Sequence, residues 1–226
     1  MNCVLVAHGT RKRRGVEMVG DLADRVSTSL GRRVHVSFVD VLGPTPSAVL
    51  ASIVGPTIVV PAFLSRGYHV TSDIPTHVAA SRHPDVTVTE ALGPGPHVMR
   101  VLADRLIESG WHGGDSVILA AAGTSDPGAQ RDLHTMAAGL SAITGSRVEL
   151  AFAATGVPRV ADAVSALRRR GARRVVVASY LLSEGLFQDR LRDSGADVVT
   201  EPLGTHDGLV RLIVSRFRRA RYSAAA

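Results

Sequence analysis

Three side chains that can bind a metal or accept a proton lie where apolar, strand-like segments of the sequence end. His8 lies at the end of the segment VLVAHG, Asp40 ends VHVSFVD, and His69 lies shortly after TIVVPAFL. Ligands of open α/β sheets bind at the carboxyl ends of strands, so we expect these side chains to converge on one crevice. Two imidazoles and a carboxylate suit a borderline divalent metal such as iron, cobalt, nickel or zinc. Neutral imidazole also accepts a proton near neutral pH.

The elements that must position these side chains are predicted from eight apolar, β-branched segments that alternate with segments of helical periodicity. Near-continuous apolar strands between helices are typical of a parallel sheet that is covered on both faces. We therefore predict an α/β fold with two tandem, doubly wound parallel sheets of four strands each. The segments are VLVAHG, VHVSFVD, TIVVPAFL, VTVTEALG, VILAAAGT, VELAFAAT, VVVASYLL and VVTEPLGT.

The last four segments repeat the first four in the same order, which indicates an internal duplication. VLVAHGT at residues 4–10 aligns with ILAAAGT at residues 118–124, an offset of 114, and GRRVHVSFVD aligns with GSRVELAFAA at the same offset. Glycine and polar residues cluster between the copies in ESGWHGGD, as expected where one unit ends. We predict two domains of similar fold, at residues 1–112 and 113–226.

The two copies differ at the positions that could do chemistry. Glycines at the strand ends are retained in both copies, and tight turns explain them. The polar side chains are not retained, whereas a purely structural role would predict similar side chains in both copies. We therefore expect one working site in the N-terminal half and a degenerate site in the C-terminal half. The aligned pairs are His8 with Ala122, Asp40 with Ala154, and His69 with Phe187.

The composition restricts the classes of partner. The chain has 226 residues, a formal net charge of +6 and a pI of about 10.6, which favour anionic partners. Aromatic residues make up only 4% of the chain and most arginines are scattered, so no nucleic-acid partner is expected. No apolar run approaches the roughly 20 residues of a membrane span, and a strand pattern begins too early to leave room for a signal peptide. The single cysteine, Cys3, fits a reducing compartment, so we expect a cytoplasmic protein.

Two ordered motifs give the sequence a family resemblance. LVAHGTR, followed later by PAFLSRGYHVTSDIP, resembles the class II chelatases, in particular the sirohydrochlorin chelatase family. In that family a first strand ends in His-Gly-Ser, and a later strand leads into Gly-x-His and an Asp-Ile-Pro type segment. The second motif here is Gly67-Tyr68-His69 with Asp73-Ile74-Pro75. The resemblance covers the whole chain, because long members of the family are tandem duplications with the histidines in the N-terminal half.

This resemblance implies insertion of a divalent metal into a modified tetrapyrrole without ATP and without a permanently bound cofactor. His8 and His69 would bind the metal and accept the pyrrole protons. Asp40 occupies a place where the family often has Glu, and is the expected third metal ligand. The metal is then a substrate, most simply Fe2+ for siroheme synthesis, and the organic substrate carries many carboxylates. The expected substrate-binding residues are Thr10, Arg11, Arg66, Gly67 and Tyr68.

Three alternatives stay open at this point. Co2+ insertion for cobalamin synthesis would use the same site, although the chain lacks the His-rich tract of some cobalt-handling relatives. A metal or tetrapyrrole carrier without turnover would need the same residues. A histidine phosphatase is less well supported, because its strand ends in Arg-His-Gly, whereas Ala7 precedes His8 here. A tandem duplication can pair its halves within one chain, so we expect a monomer.

Overall fold

The computed structural model describes residues 1–223, which form strands and helices in alternation along the chain. The strands are β1 (Asn2–Ala7), β2 (Val34–Phe38), β3 (Thr57–Pro61), β4 (Val86–Val88), β5 (Ser116–Gly123), β6 (Val148–Thr155), β7 (Val175–Tyr180) and β8 (Val198–Val199). The helices are α1 (Arg13–Leu30), α2 (Pro46–Ala51), α3 (Ile74–Ser81), α4 (Pro96–Glu108), α5 (Pro127–Thr144), α6 (Val160–Arg169), α7 (Leu186–Arg192) and α8 (Asp207–Ser223). A π-helical turn, His69–Asp73, directly precedes α3.

The strands form two parallel four-stranded sheets of identical topology. Their orders are β2-β1-β3-β4 and β6-β5-β7-β8, and every neighbouring pair runs parallel. The central strands are buried along most of their length, because helices cover both faces of a sheet that connects its strands by crossovers. The predicted fold class, with eight strands in two sets of four, is confirmed.

The hydrogen-bonded registers reproduce the offsets of the repeat. Cys3 lies opposite Val34 in the first sheet, and Val117 lies opposite Val148 in the second, which is 114 positions later on both strands. The pairing of the third strand with the fourth also repeats. Ile58 of β3 lies opposite Thr87 of β4, and Val176 of β7 lies opposite Val198 of β8, with offsets of 118 and 111 positions on the two strands. The sequence alignment of the copies is therefore also an alignment of their backbones.

The chain divides into two compact units that differ from its two sequence halves. The first unit contains Met1–Gly93 and the segment from Thr205 onward, and the second contains Pro94–Gly204. The reason lies in one helix of each half: α8 packs on α1 and β3, whereas α4 packs on α5 and β7. The domain bounds 1–112 and 113–226 thus remain a prediction about the two sequence repeats. The compact units differ from these repeats because α4, the last helix of the first repeat, belongs to the second unit, and α8, the last helix of the second repeat, belongs to the first unit.

Membrane-spanning helices are absent from the part of the chain that the structure describes, because none of its helices combines the necessary length with sufficient apolar character.

Two aligned glycines turn the chain at the ends of the central strands. Gly9 has φ +101°, and a Cβ placed on it would lie 2.1 Å from the carbonyl oxygen of Asp40. Gly123 has φ +102°, and its Cβ would lie 1.7 Å from the carbonyl oxygen of Thr155. Both the left-handed conformation and the close approach of the neighbouring chain exclude a side chain. This turn belongs to the fold, because the half without the histidines retains it.

A buried apolar cluster fixes the backbone that carries the later histidine. Ile74 is fully buried and belongs to the same cluster as Val4 and Val59 of the sheet. Ile74 follows the π-helical turn directly, so this turn is held against the carboxyl ends of β1 and β3. Burial of an Ile side chain contributes roughly 2 kcal/mol, enough to restrain one turn of chain.

Candidate active site

The structure brings His8 and His69 together at the carboxyl edge of the first sheet. His8 directly follows β1, and His69 opens the π-helical turn beyond β3, the hydrogen-bonded neighbour of β1. The two imidazole rings lie edge to face, with their centroids 4.6 Å apart and an angle of 88° between the ring planes. His8 is exposed and the His69 side chain is 34% exposed, so a ligand in solution reaches both rings.

Asp73 holds His69 in one tautomer. His69 Nδ1 lies 2.5 Å from Asp73 Oδ2 across the π-helical turn. A carboxylate oxygen can only accept, so Nδ1 carries the proton and Nε2 of the neutral ring carries the lone pair. His8 Nδ1 lies 3.1 Å from the Gly9 carbonyl oxygen, which selects the same tautomer. Histidines that bind metals typically have such a partner on the second nitrogen, which orients the ring and raises its basicity.

Two aromatic rings enclose His69 on its other sides. Phe63 is roughly parallel to the imidazole, with a centroid separation of 5.9 Å and an interplanar angle of 29°. Tyr68 is nearly perpendicular to it at 6.2 Å, and the Tyr68 residue is 69% exposed. Phe63 also packs on the cluster around Ile74, so it links the ring of His69 to the core. Support of this kind keeps the ring of His69 in one orientation.

Asp40 is not brought into a cluster with the two imidazoles. Its carboxylate is exposed, and Oδ1 accepts a hydrogen bond of 2.7 Å from the backbone N–H of Val41. Within residues 1–223, no group of three or more His, Cys, Asp or Glu side chains is arranged to hold a metal ion. Val41 has φ +69°, a costly conformation for a β-branched residue, and such strain often marks functional loops.

The other expected binding residues lie within three residues of His8 or His69 in the sequence. The Thr10 hydroxyl accepts a hydrogen bond from the Lys12 N–H at 3.2 Å, which stabilises the turn before α1. Arg11 and Arg66 are exposed. The Gly67 carbonyl accepts from two backbone N–H groups of the following turn, and a Cβ on Gly67 would meet only Ser65 Oγ, at 3.8 Å. Packing therefore requires glycine at position 9 but not at position 67.

Sequence reasoning did not assign Asp73 and Phe63 to this site. The signal for Asp73 was present, since His69 and Asp73 are four residues apart, a spacing that puts two side chains together on a helix. The predicted strands and loops gave no reason to expect a helical turn there. Phe63 lies within the predicted strand segment TIVVPAFL, and nothing in its position there indicates that its ring lies next to His69.

The aligned region of the second unit has a different chemistry. Phe187 occupies the aligned position of His69, and the guanidinium of Arg190 lies 5.7 Å from its ring centroid. Arg190 also donates to the Ala153 carbonyl at 3.3 Å, next to the residue aligned with Asp40. A cation over an aromatic face and a backbone hydrogen bond are interactions that stabilise a fold.

Similarity to known proteins extends along almost the whole chain. The CbiX family model matches it twice, over residues 2–109 and 116–220. A sirohydrochlorin ferrochelatase of Priestia megaterium is 26% identical over 234 residues, covering 94% of this chain and 88% of the relative. A sirohydrochlorin cobaltochelatase of Methanothermobacter thermautotrophicus is 30% identical over 127 residues, covering 46% of this chain and 88% of the relative.

A solved structure of SirB from Bacillus subtilis with Fe3+ has the same fold, with a TM-score of 0.84 at 20% identity over 100% of this chain and 98% of that one. The two-fold match of the family model follows the same repeat that the registers of the two sheets define. Because that model covers nearly the whole chain, this chain belongs to the CbiX family.

Proposed function

We propose that the chain is a sirohydrochlorin chelatase that inserts a divalent metal, in the first place Fe2+, into sirohydrochlorin without ATP. The observation that carries the proposal is the edge-to-face pair of His8 and His69, which is accessible to solvent, in a chain of the CbiX family. The full-length similarity to a ferrochelatase supports iron. Sequence similarity of one repeat to a cobaltochelatase makes Co2+ the second candidate.

The reaction replaces two pyrrole N–H protons by one divalent metal, so the site must accept two protons and release a metal. The Nε2 atoms of His8 and His69 carry the lone pairs and supply two nitrogen ligands, which leaves other coordination positions to the tetrapyrrole. When the metal passes to the macrocycle, the same two atoms accept the pyrrole protons. The Asp73 carboxylate then stabilises the imidazolium of His69.

The residues around the pair have proposed roles in holding substrate. Arg11 and Arg66 carry exposed cations near the histidines in sequence, and guanidinium groups bind carboxylates with two parallel hydrogen bonds. Tyr68 offers an exposed ring beside His69 to the flat face of the macrocycle. Asp40 is proposed as a third metal ligand, reached when the metal binds, and Thr10 and Gly67 shape the turns that flank the substrate.

The proposal is tested by anaerobic metallation of sirohydrochlorin with the purified chain, without ATP, followed by absorbance. We expect initial rates far above those of the protein-free reaction with Fe2+. The matched reaction with Co2+ at the same free concentration decides between the two metals. Tight binding of sirohydrochlorin without acceleration for either metal would contradict the proposal and favour a carrier.

A further inference from the structure

An open groove of about 430 Å³ lies in the first unit, between the last turn of α1 and the outer face of α8. Its lining consists of three arginines, two serines, two valines and one tyrosine. Ser29 belongs to the last turn of α1, and the chain re-enters the sheet at Val34. The groove therefore lies toward the edge where the strands begin, opposite to the edge that carries His8 and His69.

The groove is strongly cationic. Helix α8 contains five arginines and one acidic residue, Asp207, and Asp207 accepts a hydrogen bond from Arg25 of α1. Arginines in the last turn of a helix interact favourably with the helix dipole, which explains cations near residue 221. Arg211 lies in the second turn of α8, four residues after Asp207, whose carboxylate it attracts, and it also lines the groove.

Buried contacts give the groove a fixed frame. Leu209 and Ile213 of α8 are fully buried and Phe217 is 2% exposed, so the helix cannot rotate its arginine face away. Arg218 Nη2 donates to the Ser29 carbonyl at 3.2 Å, which ties its guanidinium to the wall formed by α1. An anchored guanidinium loses less conformational entropy when it binds an anion.

The groove also has an apolar side. Tyr222 lines it and is 75% exposed, and the floor includes Val210 and Val214. The Ser215 hydroxyl lies among these residues, whereas the Ser29 hydroxyl donates to the Arg25 carbonyl at 3.0 Å and keeps only its acceptor lone pairs for a ligand. Pockets for small organic ligands commonly have such a mixture of an apolar surface and a few polar groups, with volumes of roughly 300–1,000 Å³.

We propose that this groove binds a small organic anion that combines phosphate or carboxylate groups with a flat ring. The anionic groups contact Arg211, Arg218 and Arg219, and the ring lies against Tyr222 and the two valines. The backbone at this end of α1 presents carbonyl oxygens and no helix N-terminus, so guanidinium groups carry the recognition. The site is separate from the proposed chelatase reaction and does not depend on it.

Isothermal titration of the full chain with three probes tests this site: AMP, uroporphyrin as a polycarboxylate macrocycle, and inorganic phosphate. We expect Arg211→Gln/Arg218→Gln to weaken the preferred ring-bearing probe by about 30-fold, the loss of two charge-assisted hydrogen-bond partners. The matched control is Arg169→Gln/Arg173→Gln, which removes two exposed cations from the second unit, with an expected change below about twofold. Tyr222→Ala should weaken the ring-bearing probe by about tenfold and leave phosphate unaffected.

Preference for AMP would assign the site to phosphate ligands, and preference for uroporphyrin would assign it to carboxylate ligands. Equal weakening by the two arginine double variants would show that only net charge matters, and would overturn the proposal. Binding of neither ring-bearing probe more tightly than phosphate would overturn it as well. The His8→Ala/His69→Ala chain should show the same dependence on Arg211 and Arg218, so that failure of the chelatase proposal leaves this result interpretable.

Discussion

His69 and Phe187 follow the third strand of their sheets at aligned positions, yet their surroundings have opposite character. His69 contacts another imidazole and a carboxylate, and it opens a π-helical turn. Phe187 contacts a guanidinium that also binds the backbone, and an ordinary α-helix begins one residue before it. Single turns of π-helix are rare and occur frequently at functional sites. The half with the imidazoles therefore departs from regular structure where the other half does not.

The comparison separates what the repeat needs from what the chemistry needs. Thr10 and Thr124 make the same contact, since each hydroxyl accepts from the N–H two residues later, at 3.2 and 3.1 Å. Gly9 and Gly123 turn the chain in the same way. Features shared by both halves position the strand ends, whereas the imidazole pair and its carboxylate occur in only one. Substitutions at aligned positions should therefore have separable effects on stability and on activity.

The largest expected effect is on activity in the N-terminal half. His8→Ala and His69→Ala should each lower the rate of sirohydrochlorin metallation by about 10²–10⁴-fold, because each removes a proton acceptor and a metal ligand. Phe187→Ala should leave the rate nearly unchanged and cost about 1 kcal/mol of stability through the lost cation–π contact. Initial rates and urea unfolding measure the two effects. Activity retained in either histidine variant would refute the assigned site.

A large effect on stability is expected in both halves at the shared glycine turn. Gly9→Ala and Gly123→Ala should each lower the free energy of unfolding by about 3 kcal/mol or more, because a left-handed alanine would also collide with a neighbouring carbonyl. Gly145→Ala is the matched control, since Gly145 has φ +64° but nothing lies within 4 Å of its added Cβ. Its cost should be only about 1 kcal/mol.

Urea unfolding monitored by circular dichroism measures these three variants. Similar losses of unfolding free energy for Gly123→Ala and Gly145→Ala would mean that the positive φ alone determines the cost, and that the close approach of the Thr155 carbonyl has no role. Gly9→Ala should additionally lower the metallation rate, because the collision with Asp40 shifts the loop beside His8.

These features differ in how far the sequence could predict them. Apolar β-branched segments identified all eight strands, because burial on both faces leaves a direct mark on composition. The offsets between the copies predicted that the second half repeats the first, but they did not predict the pairing between strands, which only the structure shows. The packing of α8 on the first unit was not predictable. The apolar face of a helix shows that it packs on a sheet, but it does not show on which of two similar sheets.

The candidate site was predictable only in part, because strand order follows from the sequence pattern whereas the conformations of the loops after the strands do not. Strand order brings His8 and His69 to one edge, and this follows from the motif and the topology. The direction of Asp40 depends on the loop conformation at Val41, with φ +69°, for which a valine gives no signal. The role of Asp73 depends on a helical turn that the periodicity does not reveal.

A smaller change in activity is expected from Asp73. Asp73→Asn removes the carboxylate that orients His69 while keeping the shape of the side chain, so we expect metallation to fall by about 10–100-fold. Affinity for the metal, measured separately with Co2+ by titration, should fall together with the rate, since ring orientation affects both. Asp73→Glu should restore part of the activity.

Asp85→Asn is the control for this change, because it removes one exposed acidic charge from the same unit. A merely structural role of Asp73 would lower stability and leave the metal affinity of the folded protein unchanged. That result would contradict the assignment of Asp73 as the residue that positions His69.

The smallest expected effect concerns the position aligned with Arg66. In the second half this position is Glu184, whose two oxygens accept from Arg192 at 2.6 and 2.8 Å. The hydrogen bonds from Arg192 lower the pKa of Glu184 below its ordinary value of 4.5. A carboxylic acid whose pKa is lower in the folded protein than in the unfolded protein stabilises the fold at pH values above its unfolded-state pKa. This contribution is lost as the pH falls through the folded-state pKa.

We therefore expect Glu184→Gln to lower the free energy of unfolding by about 1 kcal/mol at pH 7, as for a well-formed bidentate pair near the surface. The difference between the two proteins should shrink below pH 4.5, because a protonated glutamate resembles glutamine. Urea unfolding of both proteins at pH 7 and at several pH values below 4.5 measures this difference in unfolding free energy. Arg66→Gln, its aligned counterpart, should raise the KM for sirohydrochlorin, because Arg66 is an exposed cation three residues before His69 and is proposed to bind a substrate carboxylate. A pH-independent loss in Glu184→Gln would mean that packing, and not the ion pair, stabilises the second half at this position.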